Sequence, residues 1–154
     1  MDPSERLAAL GITVPEAPRP AAAYVGHVLS DGHLYTAGQL PLVDGELLAE
    51  GRVGDAVDLT RATQCARQCA INVLAQVQAA GYAMEDVRRI VKLTVFVASA
   101  EGFTEQHLVA NGASEFLGKV FGEAGSHVRS AVGVAMLPLN SPVEIEALID
   151  VGPR

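Results

Sequence analysis

The chain has 154 residues, 49% of them hydrophobic and 19% charged. That length suits a single domain with an ample core, and the composition excludes long-range disorder. Eleven basic residues against 18 acidic give a net charge of −7, which argues against general binding to nucleic acid or anionic lipid, since both need a positive field. So little charge beside so much apolar surface suggests that a partner, most simply a second copy, covers part of the molecule. No stretch approaches the ~18 unbroken apolar residues of a membrane span. The start, Met1-Asp2-Pro3-Ser4-Glu5, lacks the basic patch and apolar run of a secretory signal. Two cysteines make no disulfide framework, and the cytoplasm is the expected location.

Residues 2–10 read as a short capped helix, with Asp2 before Pro3 and Glu5 in the first turn. Pro15, Pro18 and Pro20 then form a connector, so residues 1–20 are an extension of one domain covering 1–154. Residues 22–38 read as a hairpin around Asp31-Gly32, and Asp44-Gly45 marks another turn. Leu59, Ala62, Ala66, Cys69, Val73 and Val77 predict a long helix over 55–80, stopped by Gly81. Residues 89–97 read as a strand, with Val91, Leu93, Val95 and Val97 on one face and Lys92, Thr94 and Phe96 on the other. A second helix is expected over 104–121, with Leu108, Phe116, Leu117, Val120 and Phe121 in its stripe. Strands over 128–137 and 142–151 close a β-β-α-β-α-β-β order. That order argues for an α+β fold with two helices on one face of a mixed sheet.

Alternation places Arg129, Ala131, Gly133 and Ala135 on one face of the first closing strand. Glu144 and Glu146 share a face of the second, opposite Val143, Ile145, Ala147 and Ile149. The expectation is one helix-covered face and one polar face carrying Arg, Glu, Lys and Thr, buried as a wet subunit interface. Arg129 offers a planar fork for a carboxylate or phosphate, or a structural salt bridge to Glu144 or Glu146. The two glutamates lie only ~7 Å apart by strand rise; with no Trp and no sugar-specific feature, a polar strand face is favoured over glycoside hydrolysis. His127, two residues before Arg129, is a candidate proton handler or a loop histidine with a local hydrogen bond. His27, His33, His107 and His127 fit no metal spacing, and Cys65 and Cys69, one helical turn apart, fit core packing better than zinc. Residues 112–119 have the wrong spacing for a phosphate loop, and neither GxSxG nor GxGxxG occurs.

Three blocks together resemble the RidA/YjgF family. They are Tyr24 with Tyr35-Thr36-Ala37-Gly38-Gln39-Leu40-Pro41; Lys92-Leu93-Thr94-Val95-Phe96-Val97; and Arg129-Ser130-Ala131-Val132-Gly133-Val134-Ala135-Met136-Leu137-Pro138 with Val143-Glu144-Ile145-Glu146-Ala147. The last block is the most specific, and the resemblance runs from about Tyr24 to Val151. It implies a chorismate mutase-like fold, a homotrimer with a barrel-like core, and clefts between subunits. It also implies hydrolysis of reactive enamines and imines, such as 2-aminoacrylate and 2-imino acids, to 2-keto acids and ammonia. Some members are described instead as endoribonucleases or translation inhibitors. Matched residue by residue, Arg129 would grip the substrate carboxylate and Glu144 would hold the attacking water. Tyr24 would stand at the cleft, and Gly38 and Ala131 would offer backbone amides. No metal and no organic cofactor is implied. Ala37, Ala131, Gly133 and His127 depart from the usual Ser, Cys, Glu and Pro, and the stretches 111–114 and 125–129 mark a distinct subgroup. Those departures motivate the alternative of a non-catalytic, carboxylate-binding or regulatory trimer; the charge balance argues against a ribonuclease.

Overall fold

A computed structural model describes residues 1–20 and 22–153. Its sheet begins where a two-residue turn demands left-handed backbone. Asp31 and Gly32 have φ of 50° and 77° and join β1 (His27–Ser30) to β2 (His33–Thr36). Asp44 and Gly45, at 52° and 81°, do the same for a small separate hairpin of β3 (Leu42–Val43) and β4 (Glu46–Leu47). Upstream lies α1 (Pro3–Ala9). Its capping box is complete: Glu5 N–H donates to Asp2 Oδ1 at 2.8 Å and Asp2 N–H donates to Glu5 Oε2 at 2.9 Å.

The long helix α2 (Leu59–Ala79) starts later than periodicity alone suggests, because Asp58 keeps an extended backbone and caps it through Arg61 N–H at 2.7 Å. After it come β5 (Arg89–Ala98), α3 (Gln106–Phe121), β6 (Val128–Val134) and β7 (Val143–Asp150). The strand order is β1-β2-β7-β5-β6; β5 and β6 run parallel and the other pairs are antiparallel. Both long helices cover one sheet face and α1 packs on α3. The architecture is the expected α+β.

Three details of the sequence reading are corrected. A bulge between Ile90 and Lys92 throws Val91 out of phase, so Ile90 rather than Val91 joins Leu93, Val95 and Val97 in the core. In α3 the buried stripe runs through Val109 rather than Leu108. Most consequential, Arg129 does not share the polar face with the glutamates. It pairs with Leu93 on β5, whose side chain is fully buried under the helices, and paired residues project to the same side of a sheet. The open face instead carries Lys92, Thr94 and Phe96, Ser130 and Val132, and Glu144, Glu146 and Leu148. It also exposes Tyr35 (50%), Val128 (66%) and Val132 (43%).

The two long helices meet closely at Gly112, where an added Cβ would fall against the Thr63 carbonyl, 2.9 Å from its carbon. Backbone cannot yield as a side chain end can. Gly112→Ala is therefore expected to lower unfolding free energy by about 1–3 kcal/mol, read as a lower urea midpoint with an unchanged slope.

Candidate active site

Two groups of candidate residues emerge, one on the loop after β2 and one at the β6 edge of the sheet. The first is built on the loop that continues β2. Residues 37–42 are held from beneath by polar side chains of α2. Asn72 Nδ2 donates to the Leu40 and Leu42 carbonyls at 2.9 and 3.0 Å. Gln39 Nε2 donates to the Ala37 carbonyl at 3.1 Å, while Gln76 Nε2 reaches Gln39 Oε1 at 3.4 Å. His27 Nδ1 lies 2.8 Å from Gln76 Oε1, an oxygen that only accepts, so this nitrogen carries the proton. Asn72, Gln76 and Gln39 are buried, and buried amides persist only where they are bonded. The sequence signal of Asn72 and Gln76 is modest: amides standing at inward positions on the otherwise apolar face of α2.

That scaffold seats Gly38 against Glu144. A Cβ on Gly38 would lie 2.7 Å from Glu144 Cδ and 2.9 Å from its Cγ, so the loop backbone and the carboxylate share one small space. Thr36 Oγ1 accepts the Ala147 N–H at 3.0 Å where the β2–β7 register slips before Gln39 meets Ile145. Half-buried Glu144 has its carboxyl pushed above the ordinary range, first by desolvation and then by the negative charge of Glu146. Beside Gly38 opens a cavity of about 140 Å³ that Tyr24, Arg19, Gln39 and Leu139 also line. Leu139 holds φ of 60° there, a left-handed conformation uncommon for a non-glycine residue.

The second group surrounds Arg129. Its Nη1 donates to Ser114 Oγ of α3 at 2.9 Å and its Nη2 to the His107 carbonyl at 2.8 Å. Ser114 Oγ lies 2.8 Å from His127 Nε2, and His127 Nδ1 lies 2.7 Å from the Gly125 carbonyl. Ser114, Ser126, His127 and Arg129 line an open cavity of about 350 Å³. Ala131 follows on the same strand, paired with Val95 and packed against the core. The salt bridge to Glu144 or Glu146 does not form. Among the described residues the ion pair present is Arg52–Asp55, at 3.9 Å. Among the described residues the guanidinium is thus fixed by neutral groups, with no carboxylate paired to it, beside an open cavity. Ser114 belongs to this group although helical periodicity gives it no prominence.

The structure thus brings Arg129 and His127 together round one cavity, with Ala131 further along the strand, and sets Tyr24 and Gly38 round another, with Glu144 against Gly38. Cys65 and Cys69 are buried in the core, as their spacing suggested. Among the described residues no helix is long and apolar enough to cross a membrane.

Fold and clefts together define a small chorismate mutase-like α+β protein with an unpaired arginine at its sheet edge. The family model described as Endoribonuclease L-PSP matches residues 14–151, and the chain belongs to this family, the RidA/YjgF proteins. Protein TCP17 of Trypanosoma cruzi is 46% identical over 92% of this chain and 89% of its own length. A 2-iminobutanoate/2-iminopropanoate deaminase of Dermatophagoides farinae is 31% identical over 90% of this chain and 93% of its own. Among solved structures, Atu1372 of Agrobacterium tumefaciens superposes with a TM-score of 0.90 at 46% identity, covering 96% of this chain and 91% of that one. TdcF of Escherichia coli with bound serine gives 0.65 at 31% identity, covering 88% and 93%.

Two expectations follow from the Gly38–Glu144 contact. Gly38→Ala displaces the carboxylate, a flexible side chain, rather than backbone; thermal stability should hardly change while any Glu144-dependent turnover falls. The raised carboxyl of Glu144 binds its proton more tightly in the folded state. Stability is therefore lost as pH rises from the ordinary glutamate range through the raised value. Glu144→Gln should raise the melting temperature at neutral pH relative to wild type, and leave it nearly unchanged in acid below that range.

Proposed function

We propose that this protein is a cytoplasmic deaminase that hydrolyses small 2-imino acids and their enamine tautomers to 2-keto acids and ammonia, working as a homotrimer. The observation that carries the reading is Arg129, held in place by a hydroxyl and a backbone carbonyl with no carboxylate partner among the described residues. A guanidinium so oriented presents its remaining N–H groups to an incoming carboxylate at no further ordering cost. The deaminase relative and the serine-bound relative, both about a third identical over most of the chain, point to ligands of that chemistry.

In this mechanism Arg129 neutralises the substrate carboxylate and fixes the imine carbon. Tyr24 and the backbone amides of Gly38 and Ala131 bound the cleft. Glu144, with its raised carboxyl, orients a water and takes its proton as the oxygen attacks that carbon. Collapse of the resulting carbinolamine expels ammonia and leaves the keto acid.

Within one protomer, Arg129 and Glu144 lie on opposite faces and two strands apart, which is beyond the reach of a three- or four-carbon substrate. A neighbouring copy must supply one half of each site. The mixed open face supports the same reading: Val28, Tyr35, Leu148, Lys92 and Val128 align across its strands, so two further copies of that face would enclose it.

Keto acid release from 2-iminopropanoate, generated in situ by an amino-acid oxidase, tests the reaction. Arg129→Ala should lower kcat/KM by ~100-fold or more, since each charged hydrogen bond contributes roughly 1.5–3 kcal/mol, with the assembly intact. Unchanged kinetics would remove Arg129 from the site. Val132→Arg should give a monomer by light scattering and abolish turnover while the fold survives; an active monomer would refute the shared site. Arg129-dependent carboxylate binding without turnover of any imine would favour the binding trimer instead.

A further inference from the structure

We propose that Ser114 and His127 form a serine–histidine nucleophile pair in the Arg129 cavity, able to accept the acyl group of small carboxylic esters. The direction of the hydrogen bonds carries it. The Gly125 carbonyl only accepts, so His127 Nδ1, at 2.7 Å, bears the ring proton. Nε2 of the neutral ring is then a lone pair, and the Ser114 hydroxyl, 2.8 Å away, donates to it. Arg129 Nη1 donates to one lone pair of the same oxygen at 2.9 Å. The second lone pair is left for attack, and the adjacent guanidinium favours the alkoxide. A nucleophile within hydrogen-bond reach of a base, itself oriented by a third group, is the arrangement that activates serine.

The pair is rigidly mounted. A Cβ on Gly125 would lie 2.9 Å from the Leu117 carbonyl carbon, so the turn that supplies the orienting carbonyl is pressed against α3. Arg89 Nη1 also ties that turn down, donating to the Glu123 and Ser126 carbonyls at 3.0 and 3.1 Å. The cavity of about 350 Å³ in front of Ser114 has room for a short acyl chain.

In the reaction, Ser114 Oγ bonds to the ester carbonyl carbon as its proton passes to His127 Nε2. Arg129 N–H groups not bound to Ser114 or His107 meet the carbonyl oxygen as it gains charge. The C–O bond to the alcohol breaks, and His127 returns the proton to the departing alkoxide. Water then attacks the acyl-serine carbon, giving one proton through His127 back to Ser114 Oγ and releasing the carboxylic acid. This activity does not depend on imine hydrolysis.

The experiment treats the full-length assembled protein with p-nitrophenyl acetate, follows nitrophenolate release, and maps the acetyl group by peptide mass spectrometry. Wild type should acetylate at Ser114. Ser114→Ala should remove that adduct. His127→Gln, which keeps the serine in place, should slow its formation by ~100-fold or more, the usual reach of general-base catalysis. Matching circular dichroism and assembly size would confirm that both variants fold. No adduct at Ser114, acetylation only at lysines or at Ser126, or an unchanged rate in His127→Gln would overturn the proposal. Keto acid release from 2-iminopropanoate, read separately on the same samples, distinguishes its failure from failure of the deaminase reading.

Discussion

The parallel pairing of β6 on β5 decides where the Arg129 charge stands in this molecule. Because Arg129 is paired with Leu93, its side chain leaves the sheet on the side the helices cover. A cation there would lose solvation at a cost of several kcal/mol if left without partners. The strand lies at the sheet edge, and α3 offers a hydroxyl and a carbonyl at hydrogen-bond distance. Solvation is replaced while the charge is left uncancelled. A carboxylate in place of Ser114 would have satisfied the arginine more strongly and closed the site to anions.

The loop after β2 solves a different problem. A loop of backbone must lie against a carboxylate without collapsing onto it. Buried amides of α2 hold the loop at a fixed height, and the missing Cβ at Gly38 leaves space for Glu144. Burying Glu144 beside Glu146 costs folding stability once it ionises, yet it also makes a better base than a solvated glutamate. Leu139, on the rim of the same cavity, also holds a left-handed backbone that is uncommon for a non-glycine residue.

The open sheet face also bears on the low charge of the chain. The low fraction of charge is not spread evenly. It reflects an open sheet face on which Val128, Val132 and Tyr35 stand beside Thr94, Ser130 and the two glutamates. A face of that kind, partly apolar and partly polar, resembles a wet interface more than a solvent-facing sheet.

Much of the fold is legible in the sequence because it is written in local terms. Asp31-Gly32 and Asp44-Gly45 specify their turns, Asp2 and Gly81 mark helix ends, and the apolar periods of α2 and β5 name their buried faces. Arg129, Glu144 and His127 stand out as residue types able to do chemistry, whereas Tyr24 and Gly38 are marked only by the resemblance of their blocks to a known family. Which side of the sheet each one faces is not local information. It depends on the register between strands distant in the chain, and on one bulged residue, Val91, that shifts the phase of β5. Ser114 and the α2 amides gain their roles only from what packs against them, as a helix period reports burial but not partners. Local propensity and alternation therefore determined the elements, and residue type together with the family resemblance marked the candidate residues. Strand pairing in three dimensions decided that Arg129 and Glu144 stand apart, because a side chain's face is fixed by its neighbour across the ladder rather than by its neighbours along the chain.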